Sequence, residues 1–256
     1  MKLEAKNITF SYPGEAALLD DFSFDLGSGD FVGLIGPTGS GKSTIQKILT
    51  GRILPQKGEV CCDGKPLRRM DHLTRAEHIG AVAQNLPPPL DYTVRTMVMT
   101  GRASKISQLA GAAKEDLCAV AKAMAEMDIA HLAHRRYCEL SGGEKQRVFI
   151  AMALAQETDF LLLDEPTNAL DIAHSNELAR KLGELAHERN LGVLLISHDL
   201  QLAARCCNRI ILIKNGKIID SGTPEEVITP DNLEDAFHCQ AEICRDSRGR
   251  ILISPY

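Results

Sequence analysis

The segment Gly36-Pro37-Thr38-Gly39-Ser40-Gly41-Lys42-Ser43-Thr44 most narrows the folds open to this chain. A compact apolar run at residues 31–35 precedes it, and a helix is predicted over 42–50, so the local order is strand, glycine-rich loop, helix. Glycines let backbone N–H groups curl around an anion with no Cβ in the way. The following helix turns the positive end of its dipole toward that anion. Lys42 offers a charge to β- and γ-phosphates, and Ser43 offers a hydroxyl to Mg²⁺.

The rest of the chain reads as one α/β unit over 1–256. Short apolar or alternating patterns predict strands at 3–8 and 22–26, with Pro13-Gly14 as a turn between them and a hairpin around 58–64. From about 94 to 134 the composition shifts to Ala, Met, Leu, Lys and Glu, and residues 119–127 are strong helix formers. A helical subdomain over about 90–140, inserted in the sheet domain, is the expectation. Beyond it, helices over 143–156 and 174–189 alternate with strands at 160–163 and 193–196, the pattern of parallel strands joined by crossover helices. A small extension over about 216–256 is expected to hold a strand at 217–220 and a helix near 224–228.

The polar residues that end these strands make the more telling pattern. The strand at 31–35 runs into the glycine loop, the one at 79–83 into Gln84, the one at 160–163 into Asp164 and Glu165, and the one at 193–196 into Ser197 and His198. In a parallel sheet the C-terminal strand ends share one edge, where ligands bind. Phosphoryl-transfer chemistry then assigns roles. Asp164 helps to hold Mg²⁺, Glu165 orients or deprotonates the attacking water, Gln84 senses metal and water, and His198 contacts the γ-phosphate.

A second glycine-rich helix start lies at Ser141, Gly142 and Gly143, within Leu-Ser-Gly-Gly-Glu-Lys-Gln-Arg-Val at 140–148. One ATP does not need two such starts from one subunit. A head-to-tail dimer resolves this, with the Ser141 loop of one copy closing on the ATP held by Lys42 of the other. Taken in order, the glycine loop, Gln84, the 140–148 motif, Leu-Leu-Leu-Asp-Glu-Pro-Thr-Asn-Ala-Leu-Asp at 161–171 and Ile-Ser-His-Asp at 196–199 resemble the ABC ATPases over roughly residues 3–222. The resemblance implies a P-loop NTPase core with an N-terminal antiparallel β subdomain and an inserted helical subdomain. It further implies two shared ATP sites, coupling to integral-membrane permease subunits, Tyr12 stacking on adenine, and Asp171 at the dimer interface near the opposite site.

Within that family, the 163–172 segment, the Gly101-Arg102 pair and the tail from Gly222 to Phe237 are similar to ATPases of importers for iron chelates, haem and cobalamin. Such importers also use a separate substrate-binding protein. Thr38, Met152 and Ala169 depart from common family residues, and Pro87-Pro88-Pro89 stiffens the segment expected to meet the permease. No apolar run approaches the length of a bilayer span, and the start of the chain lacks a signal-peptide pattern, so a peripheral place on the cytoplasmic face of the inner membrane is expected. The formal charge of −5, with no basic stripe, argues against a nucleic-acid partner. The alternative is a soluble ABC ATPase in nucleic-acid, ribosome or iron–sulfur work, although the long coiled-coil insertions or doubled cassettes of such relatives are missing. Of the eight cysteines none shows Cys-x-x-Cys spacing; His238, Cys239 and Cys244 could be ligands, but free thiols in a reducing compartment are the simpler reading.

Overall fold

The computed structural model describes residues 1–83, 91–106 and 111–255. The chain opens with β1 (Lys2–Phe10) and β2 (Leu19–Gly27), enters β3 (Phe31–Ile35) and α1 (Lys42–Leu49), and continues through β4 (Lys57–Cys62) to the two-residue β5 (Lys65–Pro66). β1 lies between β2 and β4, antiparallel to both, and β5 completes this sheet. Alternate residues of β2 are buried, as befits a sheet with one face toward the core. The predicted hairpin at 58–64 turns out to be most of β4 plus its turn. Asp63 and Gly64 carry the positive φ angles, 50° and 76°, that a two-residue turn needs, so the return strand starts only at Lys65.

There follow α2 (His72–His78), β6 (Ile79–Val82), α3 (Val94–Thr100), α4 (Lys114–Glu126), α5 (Gly142–Ala155), β7 (Phe160–Asp164), α6 (Ile172–Glu188), β8 (Gly192–Ser197) and α7 (Leu200–Cys206). The chain ends with β9 (Arg209–Lys214), β10 (Lys217–Gly222), α8 (Pro224–Val227), α9 (Pro230–Phe237) and the hairpin β11 (Ala241–Arg245) and β12 (Ile251–Pro255). The central sheet has the order β10-β9-β3-β8-β7-β6, parallel except for β10. Its inner strands are buried on both faces, which is why they read as unbroken apolar runs. In β7, Leu161 and Leu163 face a core built with the helices, while Phe160 and Leu162 face a core shared with α1 and the antiparallel sheet.

Between β6 and β7 the described residues are helical, and Met97, Val98, Val120, Ala123, Met124 and Val148 join α3, α4 and α5 in the helix-side core. α4 starts ahead of the strong helix formers at 119–127, where the Asp116 carboxylate accepts the Ala113 N–H at 2.9 Å and caps the helix. Arg102 fastens this region to the sheet domain. Its guanidinium donates to Asp116 at 2.9 Å, to the Ala155 carbonyl at 2.9 Å and to Glu157 at 2.7 Å, while its side chain is only 6% exposed. All eight cysteines are free thiols, and among the described residues no three His, Cys, Asp or Glu side chains are grouped to hold a metal. His238, Cys239 and Cys244 therefore form no such cluster: His238 ends α9 in a left-handed turn and Cys244 lies in β11. Among the described residues no helix is long and apolar enough to cross a membrane.

Candidate active site

β3, β8, β7 and β6 are consecutive neighbours in the central sheet, so their C-terminal ends form one edge. Ile35 lies opposite Ser197, and Asp164 opposite Ile196. The loop after β3 thus faces the carboxylates after β7 and the histidine after β8, as the strand-end pattern predicts. Gln84, which follows β6, lies outside the described residues, as do Pro87, Pro88 and Pro89.

Two glycines show why the loop has its composition. Gly41 precedes α1 with φ of 99°, a conformation that a side chain disfavours. A Cβ on Gly36 would lie 2.2 Å from the Ile213 carbonyl, so β9 can pass this close only beside glycine. Inside the loop, the buried Lys42 ammonium donates to the carbonyls of Gly36 at 2.6 Å and Pro37 at 2.9 Å, with the Ser40 hydroxyl at 3.5 Å. Burial pushes this ammonium below its ordinary value, against the upward pull of Glu165 and Asp164.

Burial pushes the Asp164 carboxyl up, with the Glu165 charge adding to the shift, while a hydrogen bond from Ser43 and the Lys42 charge oppose it. Asp164 Oδ1 is buried with no hydrogen-bond partner among the described residues. A buried carboxylate oxygen left over beside a serine hydroxyl fits a hard divalent cation, which takes oxygen ligands. The next residue, Glu165, adopts a left-handed φ of 51°, and its N–H donates to the Ile196 carbonyl at 2.9 Å. Its Oε2 accepts from His198 Nδ1 at 2.8 Å and from Asn168 Nδ2. The Asn168 contact was not anticipated from sequence.

A cleft of about 480 Å³ brings together Thr38, Gly39, Gly41, Lys42, Ser43, Thr44, Glu165 and His198, with Leu18 at its wall. Tyr12 stands beside it. Its hydroxyl is 3.1 Å from Thr44 Oγ1, and its ring meets Phe10 edge-on at 5.0 Å. Ser141, Gly142, Gly143 and Asp171 do not line this cleft. They line another, of about 570 Å³, between the start of α5 and the start of α6. There the Ser141 hydroxyl accepts from Glu144 N at 3.3 Å, and Glu144 Oε2 accepts from Ser141 N at 2.8 Å. The Asp171 carboxylate accepts from His174 N at 2.9 Å and so caps α6.

A glycine-cradled lysine, a buried aspartate and a glutamate–histidine pair thus meet at one edge of the sheet, in the fold of a P-loop nucleoside triphosphatase. Comparison with known proteins narrows the class. Residues 19–168 match the family model described as ABC transporter. The chain is 37% identical over 255 residues to the ferric enterobactin transport ATP-binding protein FepC of Escherichia coli K12, covering 99% of this chain and 94% of that one. It is 36% identical over 262 residues to the hemin import ATP-binding protein HmuV of Bordetella avium 197N, covering 99% of each. Among solved structures, a metal-chelate type ABC transporter in an inward-facing conformation superposes with a TM-score of 0.85 at 28% identity, over 99% of this chain and 96% of that one. The chain belongs to the ABC transporter family, as an ATP-binding and ATP-hydrolysing subunit.

Proposed function

We propose that this ATPase energises the uptake of a metal chelate, haem or cobalamin-type substrate, from the cytoplasmic face of the inner membrane. It works as a head-to-tail homodimer beneath integral-membrane permease subunits that receive cargo from a separate substrate-binding protein. The observation that carries the reading is the separation of its two glycine-started helices: Lys42 and Ser141 line different clefts of one chain. A second copy turned head to tail lets the Ser141 cleft of one subunit close over the Lys42 cleft of the other. The kind of cargo is supported by relatives named as ATP-binding proteins of ferric enterobactin transport and hemin import, which match nearly the whole chain.

The chemistry divides among this chain's own residues. The backbone of residues 36–44 and the Lys42 ammonium bind the phosphates, and Tyr12 stacks on the adenine. Ser43 and Asp164, with Gln84, hold Mg²⁺, which when bound neutralises phosphate charge. Glu165 orients the attacking water and takes its proton. His198 releases Glu165 to contact the γ-phosphate. Ser141, Gly142 and Gly143 of the other copy aim a helix N-terminus at the same phosphate, and Asp171 lines the interface.

A tagged Glu165→Gln chain, captured with ATP from native membranes and read by mass spectrometry, tests the proposal. A stoichiometric polytopic permease, encoded with a chelate- or haem-binding protein, is the expected partner. Recovery of ribosomal, repair or iron–sulfur proteins without a permease would overturn it.

A further inference from the structure

Glu165 is held by two side chains, and sequence reasoning anticipated neither contact. His198 Nδ1 lies 2.8 Å from Glu165 Oε2, and Asn168 Nδ2 donates to the same oxygen. No hydrogen bond from the described residues reaches Oε1. One carboxylate oxygen is therefore saturated and the other left over, in a side chain that is 15% exposed and lines the nucleotide cleft. Among the described residues, the titratable groups facing it are Lys42 from α1, Asp164 from β7 and His198 after β8.

Asn168 belongs to a tight turn. Asn168 N donates to the Glu165 carbonyl at 3.4 Å, and Leu170 N to the Thr167 carbonyl at 3.0 Å. The two residues after Asn168 lean on the other glycine-rich helix start of the same subunit. A Cβ on Gly142 would meet the Ala169 Cβ at 3.4 Å, and a Cβ on Gly143 would meet Leu170 Cδ2 at 2.7 Å. A contiguous path of contacts thus runs from the Ser141 loop, through Ala169 and Leu170, to the amide that grips Glu165.

We infer that Asn168 is a positioning residue for hydrolysis: it fixes the Glu165 carboxylate by Oε2, so that Oε1 meets the attacking water. Because its turn rests on Gly142 and Gly143, the pose of Glu165 depends on where the subunit's own Ser141 loop sits. His198 alone leaves the carboxylate free to pivot about a single hydrogen bond once it also has a phosphate to contact. Asn168 keeps its grip while His198 changes partner. The inference rests on Glu165 being the group that handles the water.

Steady-state ATPase assays of the full chain, reading kcat and KM separately, test it with Asn168→Ala, Asn168→Asp, Asn168→Ser and Glu165→Gln. Asn168 is exposed, so substitutions there leave the thermal midpoint near that of the wild type. Asn168→Ala is expected to lower kcat about 10-fold, the scale of a small misplacement of a reacting group, with KM for ATP changed less than about 2-fold. Asn168→Asp keeps the size but cannot donate, and falls at least as far. Asn168→Ser restores a donor and recovers part of the loss. Wild-type kcat in Asn168→Ala and Asn168→Asp, with Glu165→Gln inactive, would refute the role of Asn168 and leave the Glu165 reading intact. Equal losses in all three Asn168 variants, with no recovery in serine, would reduce Asn168 to a structural residue. Full turnover by Glu165→Gln would remove the reading on which the inference stands.

Discussion

Gln46 sits in α1, one turn beyond Lys42, and is only 3% exposed. Its amide donates to the Val82 carbonyl in β6 at 2.9 Å and to the Leu162 carbonyl in β7 at 3.1 Å. One side chain thus pins the helix that presents Lys42 and Ser43 to the strand that presents Asp164. Gln46→Met keeps the length and volume but removes both donors. Each buried carbonyl so deprived costs about 1–2 kcal/mol, the lower part of the range because backbone oxygens can hold a second partner. The total is about 2–4 kcal/mol. For a chain of this size 1 kcal/mol moves the midpoint by roughly 2–4 °C, so differential scanning fluorimetry should show a fall of about 4–16 °C. With ATP and Mg²⁺ present part of the fall is recovered, because a ligand that binds the folded form stabilises it. A midpoint within about 2 °C of the wild type, at matched protein concentration, would show that these bonds add nothing net and that α1 is held by its apolar face alone.

Ser141→Arg leaves ATP binding by the single chain nearly unchanged but abolishes ATP-dependent dimerisation of the Glu165→Gln form; undiminished dimer in light scattering would refute the shared site. Arg102→Met strands the nearly buried Asp116 and the Ala155 carbonyl, and lowers the thermal midpoint by about 6–12 °C. Asp116 itself carries a pH signature. The Ala113 N–H and then the Arg102 guanidinium hold its carboxyl below the ordinary value. A depressed carboxyl contributes stability that is complete above its unfolded value near 4 and is lost as the pH falls through its folded value. Urea midpoints measured below about pH 4 should therefore fall less steeply with acidification in Asp116→Asn than in the wild type.

The site was legible in the sequence wherever function is written in local residue types. A lysine after glycines, acids after an apolar run and a histidine after another run each announce a strand end, and the sheet order brings them together. Cap signals also lie in the sequence: Asp71 accepts Thr74 N at 2.8 Å and starts α2, and Thr229 accepts Asn232 N at 3.2 Å at the start of α9, with Pro230 in the first turn. What sequence could not disclose is contact at a distance. Gln46 reaches partners 36 and 116 residues away, and no periodicity marks it. Asn168 is close to Glu165 in sequence, yet its grip exists because Glu165 takes a left-handed backbone, which glutamate seldom signals.

The helix caps bear on why the two glycine-rich helix starts, proposed above to face phosphate, look as they do. α2, α6 and α7 are capped by Asp71, Asp171 and Asp199, whose carboxylates satisfy the first backbone N–H groups and suit the positive helix end. Aspartate would cap α1 or α5 equally well, but it would set a negative charge where the proposed function places a phosphate. α1 begins instead at Gly41 with no side-chain cap, leaving its N–H groups to an incoming anion. α5 begins at Ser141, whose oxygen accepts from Glu144 N while its own hydrogen remains available to donate outward. Glu144 turns its charge back onto Ser141 N, so the acid of the capping box is spent on the backbone. The neutral caps thus keep both helix ends folded without adding a negative charge at either end, which is what the proposed head-to-tail dimer requires of a phosphate shared between two copies.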